Sequence, residues 1–158
     1  MTTRKRDKLK RLYTRWAAGT PITSEQLAGM GISADLAVHY VRSGWLERLA
    51  RGVFRRPGDT LLLEPSLRLL ECKIDGLHVG GKSALAWYGN RHYVPQEELL
   101  HLYGWTMARL PEWFVERFPA EYHRKRLFQE DRGALLQVGP LEGRVGSPRA
   151  ASPERALL

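Results

Sequence analysis

The sequence predicts an α+β protein, with an N-terminal winged helix-turn-helix over residues 1–60 and a small mixed α/β domain over residues 61–158. Three observations carry this. A pair of helices with legible caps lies between Pro21 and Gly44, the apolar period changes from helical to alternating after Gly44, and short helical and alternating segments interleave beyond Pro65. With 158 residues the chain has room for two small domains, and one of about 60 residues is near the lower limit for folding alone.

Residues 4–18 place Leu9, Leu12, Tyr13, Trp16 and Ala17 at i, i+3, i+4, i+7 and i+8, an apolar stripe on a helix whose other side is basic. Arg4, Lys5 and Lys8 on that side are candidates for phosphate contacts. Thr23 to Gln26 reads as a capping box, in which hydroxyl and side-chain amide each satisfy an orphaned backbone N–H, and Ile22 with Leu27 completes a hydrophobic staple. A short helix is therefore expected from Ser24, stopping near Gly29 and Gly31. Ser33 offers the next N-cap, with Asp35 in the first turn complementing the helix dipole. Gly44 ends the helix begun there.

On this second helix Ala37, Tyr40 and Val41 are expected to face the core, leaving Ser33, Ala34, Asp35, Val38, His39 and Arg42 outward. The outward face is slim and mostly polar, as entry into a major groove about 12 Å wide requires. His39 and Arg42 are the candidate base readers, Arg42 through a bidentate fork to guanine. After Gly44 the alternation of Trp45 to Arg56 predicts a hairpin turning at Ala50-Arg51-Gly52, with Arg48, Arg51, Arg55 and Arg56 as the wing's phosphate or minor-groove contacts.

Charge strengthens that reading. Residues 1–60 hold twelve Lys/Arg against five Asp/Glu, a net +7, while the whole chain carries +8. A double-stranded DNA partner rewards such clustering by releasing condensed counterions, whereas a merely solvated face would not concentrate it. The competing reading is a protein-interaction module whose basic surface only aids solubility; salt-insensitive association with an acidic protein would mark it.

Beyond Pro65 the sequence predicts a helix to about Asp75 with Leu67, Leu70 and Ile74 on one side, a packed helix over 83–88, a strand in 99–105, a helix in 111–118, and strands in 122–128 and 134–138. Arg124, Lys125 and Arg126 read as charge guarding a sheet edge, the alternative being a contact to nucleic acid. Ser152-Pro153-Glu154 is a good helix start with only four residues after it, so the second domain is expected to be cut short at its C-terminus.

Enzyme signals are weak. Gly76 to Ser83 formally matches the phosphate-binding loop G-x-x-x-x-G-K-[ST], but Glu71 to Asp75 continues a charged helix where a buried strand is needed. The alternative role for Gly80 and Gly81 is close approach to a neighbour. The five histidines are scattered, with no i, i+4 pair and no cysteine pair, so no metal site and no cofactor are expected. Cys72 is the only cysteine, which demands no oxidising compartment. No apolar run reaches the length of a membrane helix and no signal core follows the basic N-terminus, so a cytoplasmic protein with no membrane partner is expected.

The block GWLERLARGVFRRPG after a capped helix pair resembles the N-terminal winged helix of the AbiEi family, the antitoxins of type IV toxin-antitoxin (abortive infection) systems. The second region resembles that family's C-terminal domain through Gly80-Gly81-Lys82-Ser83-Ala84-Leu85, His101-Leu102-Tyr103 and the closing Ser152 to Leu158. The resemblance implies a non-enzymatic repressor that binds inverted repeats upstream of its own operon, with a dimer on the DNA left open. It further implies opposition to a nucleotidyltransferase-like toxin without a stable complex, base reading by the Ser33 to Ser43 helix, and backbone contacts from the Arg51 and Arg55 wing.

Overall fold

The computed structural model describes residues 3–89, 99–125, 138–140, 147–152 and 156. The chain divides into two compact units, Met1–Ser66 and Leu67–Leu158.

The first unit is a winged helix. Helix α1 (Thr3–Arg15) buries Leu9 and Leu12, and Trp16 follows it into the same core. Strand β1 (Ile22–Thr23) leads directly into α2 (Ser24–Gly29), where both halves of the expected capping box form: Thr23 Oγ1 accepts from the Gln26 N–H and Gln26 Oε1 from the Thr23 N–H. Residues 30–33 turn the chain into α3 (Ala34–Arg42), capped by the Ser33 hydroxyl. Leu27, Ile32, Ala37, Tyr40 and Leu46 join the α1 residues in one apolar cluster. Burying such faces, at about 25 cal/mol per Å² of apolar surface, is what makes helices this short stable.

Gly44 takes φ +75 and releases the chain into the hairpin of β2 (Glu47–Ala50) and β3 (Val53–Arg55), with Gly52 at φ +72 in its turn. The register shifts between Arg48 and Ala50, a bulge that bends the wing. One strand of this unit was not foreseen. β1 pairs antiparallel with β3 through Ile22 with Phe54 and Thr23 with Val53, giving a three-stranded sheet of order β1-β3-β2.

The second unit is mixed α/β. Helix α4 (Leu63–Lys73), within which the boundary between the units falls, carries Pro65 in its first turn and buries Leu67, Leu69 and Leu70, with Ile74 buried just beyond it. β4 (His78–Val79), α5 (Gly81–Gly89), β5 (Leu100–Gly104), α6 (Glu112–Arg117), β6 (Ala120–Arg124), β7 (Val138–Pro140) and β8 (Arg149–Ala151) follow. The sheet order is β6-β5-β4-β8-β7. β5 and β6 are parallel, as are β4 and β8, and the other pairs are antiparallel. β6 closes one end of the order, in keeping with the guarded-edge reading of Arg124 and Lys125, which are exposed. Arg126, most of the strand expected over 134–138 and the Pro153-Glu154 helix start lie outside the described residues.

The phosphate-loop match resolves into a different arrangement. α4 ends at Lys73, Gly76 turns at φ +70, and the two-residue β4 falls inside the motif rather than before it. Gly80 does serve close approach: a Cβ there would stand 2.5 Å from Cδ2 of Tyr103. Ser83 Oγ accepts the backbone N–H of His101 at 2.9 Å, so this hydroxyl ties α5 to β5.

Candidate nucleic-acid interface

The outward face of α3 is built as its period requires. Ala37 and Tyr40 are buried and Val41 is half-buried, while Ser33, Ala34, Asp35, Val38 and Arg42 are exposed; His39 is half-buried, its ring tilted against Tyr40. Val38, an apolar side chain, is 47% exposed. Tyr40 fixes the helix against α1 by donating its hydroxyl to the Lys5 carbonyl at 2.6 Å. Burial raises the pKa of this phenol, so it remains a donor at neutral pH.

Arg4, Lys5 and Lys8 of α1 meet Ser33, Asp35, Leu36 and His39 around one open groove of about 560 Å³. Helix α1 thus presents cations beside the N-terminus of α3, where backbone N–H groups already favour anions. Lys8 is partly committed, since its Nζ donates to the Gly31 carbonyl at 2.7 Å. Lys10, Arg11 and Arg15 line a second groove with Met30, so positive charge extends further around α1 than the three residues singled out above.

The wing arginines separate into two kinds. Arg48 and Arg51 are exposed and form no ion pair among the described residues. Arg55 instead pairs with Glu47 at 2.5 Å and reaches the Asp59 carbonyl. That bond holds the Glu47 carboxyl below the usual carboxylate range and raises the guanidinium pKa. Arg56 is turned toward α1: Nη2 donates to the Tyr13 carbonyl at 2.7 Å, and the guanidinium lies over the rings of Tyr13 and Trp16 at 4.8 and 5.5 Å. Of the four arginines expected to contact a ligand, Arg55 and Arg56 thus have side chains already engaged inside the unit. Strand alternation alone could not show this, because the aromatic shelf that takes Arg56 comes from α1.

Sequence reasoning also missed a convergence in the second unit. His101 and His123 are separated by 22 residues in sequence, and parallel pairing of β5 with β6 brings their rings to 5.6 Å, with Glu121 beside them. The signal was there as two alternating triplets, His101-Leu102-Tyr103 and Glu121-Tyr122-His123, but not the pairing.

Among the described residues no helix is long and apolar enough to cross a membrane. Comparison with solved structures finds the RV2827C protein from Mycobacterium tuberculosis, with a TM-score of 0.59 at 19% identity. The match covers 99% of this chain and 60% of that one, so the chain spans about three fifths of its structural relative and shares its fold. A search of curated proteins found no match. Two family models cover the chain nearly end to end: residues 5–96 match "Transcriptional regulator, AbiEi antitoxin N-terminal domain" and residues 97–158 match "Transcriptional regulator, AbiEi antitoxin, Type IV TA system". Neither describes an enzyme. With a winged helix at its N-terminus and both antitoxin models matched in succession, the chain belongs to the AbiEi family of transcriptional regulators, the antitoxins of type IV toxin-antitoxin systems.

Proposed function

We propose that this chain binds double-stranded operator DNA with α3 in the major groove and represses its own operon from the cytoplasm. The observation that supports it best is the exposed, slim outer face of α3 bordered by cations with no ion pair among the described residues: Arg4 and Lys5 at its N-terminal side, Arg42 on the helix itself. Arg42 and His39 read base edges, Ser33 and Ala34 lie close to the backbone, and Asp35 and Val38 are available for a cytosine amine and a thymine methyl. Arg48 and Arg51 hold the adjoining phosphates from the wing. Two chains on an inverted repeat would match the symmetry of such a site. The second unit supplies the antitoxin role, countering a nucleotidyltransferase-like toxin without forming a lasting complex with it.

The test is a fluorescence-anisotropy titration of the chain against DNA from just upstream of its gene, repeated across salt concentrations. Arg42→Ala is expected to reduce discrimination between operator and scrambled DNA by about 1–3 kcal/mol. Arg51→Ala is expected to weaken binding to both sequences alike and flatten the salt slope by about one unit. Retention of parental affinity and slope by both variants would show that α3 and the wing are not the contact surface.

A further inference from the structure

The second unit carries a set of side chains that the DNA-reading surface does not use. In the parallel pair β5–β6, His101 stands opposite Glu121 and Tyr103 opposite His123. Side chains alternate along a strand, so these four share one face, while Leu100, Leu102 and Gly104 are buried on the other. His101 Nδ1 lies 3.4 Å from His123 Nε2, which in turn lies 3.7 Å from Oε2 of Glu121. One ligand atom from each of the three residues lies within 4.8 Å of the others.

The 3.4 Å separation is long for a bond from a ring N–H, which is usually about 2.7–3.2 Å. It does match the edge of a zinc tetrahedron, since bonds of about 2.0–2.1 Å to two imidazole nitrogens set those nitrogens about 3.3–3.4 Å apart. We propose that His101, Glu121 and His123 bind a divalent transition-metal ion, zinc fitting best, between the edge strand β6 and its neighbour β5. Two imidazoles and one carboxylate suit zinc, nickel or copper rather than magnesium or calcium. Three protein ligands leave a fourth position for water or for a donor from elsewhere.

The imidazoles are placed by the fold before any ion arrives. The His101 backbone N–H is held by Ser83, the His123 ring lies 5.1 Å from that of Tyr103, and Tyr103 itself sits against Gly80. Glu121 is exposed, so its carboxylate is free to swing inward. Alternation carries Arg124 to the face opposite His123, which keeps its charge off the site. An ion bound there cross-links the outermost strand to the sheet, and by mass action it stabilises the folded unit.

Zinc chloride titrated calorimetrically into the whole chain, after treatment with a chelator, is expected to show one ion per chain and to raise the melting temperature. Glu121→Gln and His123→Gln, with far-UV circular dichroism unchanged, are expected to weaken zinc binding by more than the roughly 10–100-fold that loss of an outer-shell partner costs. Cys72→Ser removes the exposed thiol and is expected to leave binding as it was. Cobalt(II) in place of zinc is expected to give the strong visible bands of a four-coordinate ion, lost in His123→Gln. The proposal is overturned if the parent chain takes no zinc, if one ion bridges two chains, if Cys72→Ser abolishes binding, or if the Glu121 and His123 variants bind as the parent does. Should His123→Gln fail to fold, the exposed Glu121→Gln decides alone. The titration contains no DNA, so its outcome is independent of the operator reading.

Discussion

Arg56 and Arg51 stand five positions apart on one basic hairpin, and the environment of each guanidinium gives them different work. Arg56 spans the Tyr13 carbonyl and two aromatic faces. Its replacement by alanine is expected to cost about 1–3 kcal/mol in urea denaturation, from a charged hydrogen bond and partly desolvated ring contacts, with the salt slope of DNA binding unchanged. A flattened slope with parental stability would return Arg56 to the phosphate-contacting group. Glu47 supplies a second contrast. Its carboxyl is held below the usual range chiefly by the hydrogen bond from Arg55, so the pair contributes stability above the ordinary glutamate pKa of about 4.3. That contribution fades as pH falls through the lower folded value. The side chains are 29% and 42% exposed, which limits the pair to at most about 1 kcal/mol. Glu47→Gln is therefore expected to lose that much at pH 7, and the gap to the parent should close below about pH 4. A gap that widens on acidification would contradict the assignment.

At the scale of elements, the sequence was most informative where a signal is local. Thr23, Gln26 and Ser33 cap α2 and α3 as their spacing indicates, because a cap needs only a side chain and the first turn beside it. Thr23→Ala is expected to cost about 1 kcal/mol, and Thr23→Ser should recover most of it in the same denaturation assay. Equal loss in both variants would mean that β1 pairing, not the cap, sets the value. The short strands β1, β4 and β8 were not legible. Two or three residues have no readable period, and what makes them strands is a partner: Phe54 and Val53 for β1, Tyr103 and Leu102 for β4, Ala150 across from Val79 for β8. The same limit hid the His101, Glu121 and His123 group, whose members look scattered until β5 and β6 lie side by side.

For the molecule as a whole, charge is the property that sequence fixes without help from folding. Five cations in the proposed interface, Arg4, Lys5, Arg42, Arg48 and Arg51, set an expected slope of log K against log salt of about −4 to −5 per chain at roughly −0.9 per phosphate neutralised. A steeper slope would bring in the second groove of Lys10, Arg11 and Arg15, and a slope near zero would remove DNA as the partner. Composition and pattern by themselves determined the winged-helix order of helices and hairpin, the caps and the concentration of positive charge in residues 1–60, because these depend on type and near-neighbour spacing. Only the tertiary structure decided which arginines remain available and which are tied to Glu47 or laid on Tyr13 and Trp16. It alone gathered two histidines and a glutamate onto one sheet face. A side chain's role is set by what other elements bring within a few ångströms of it, and linear sequence does not record that distance.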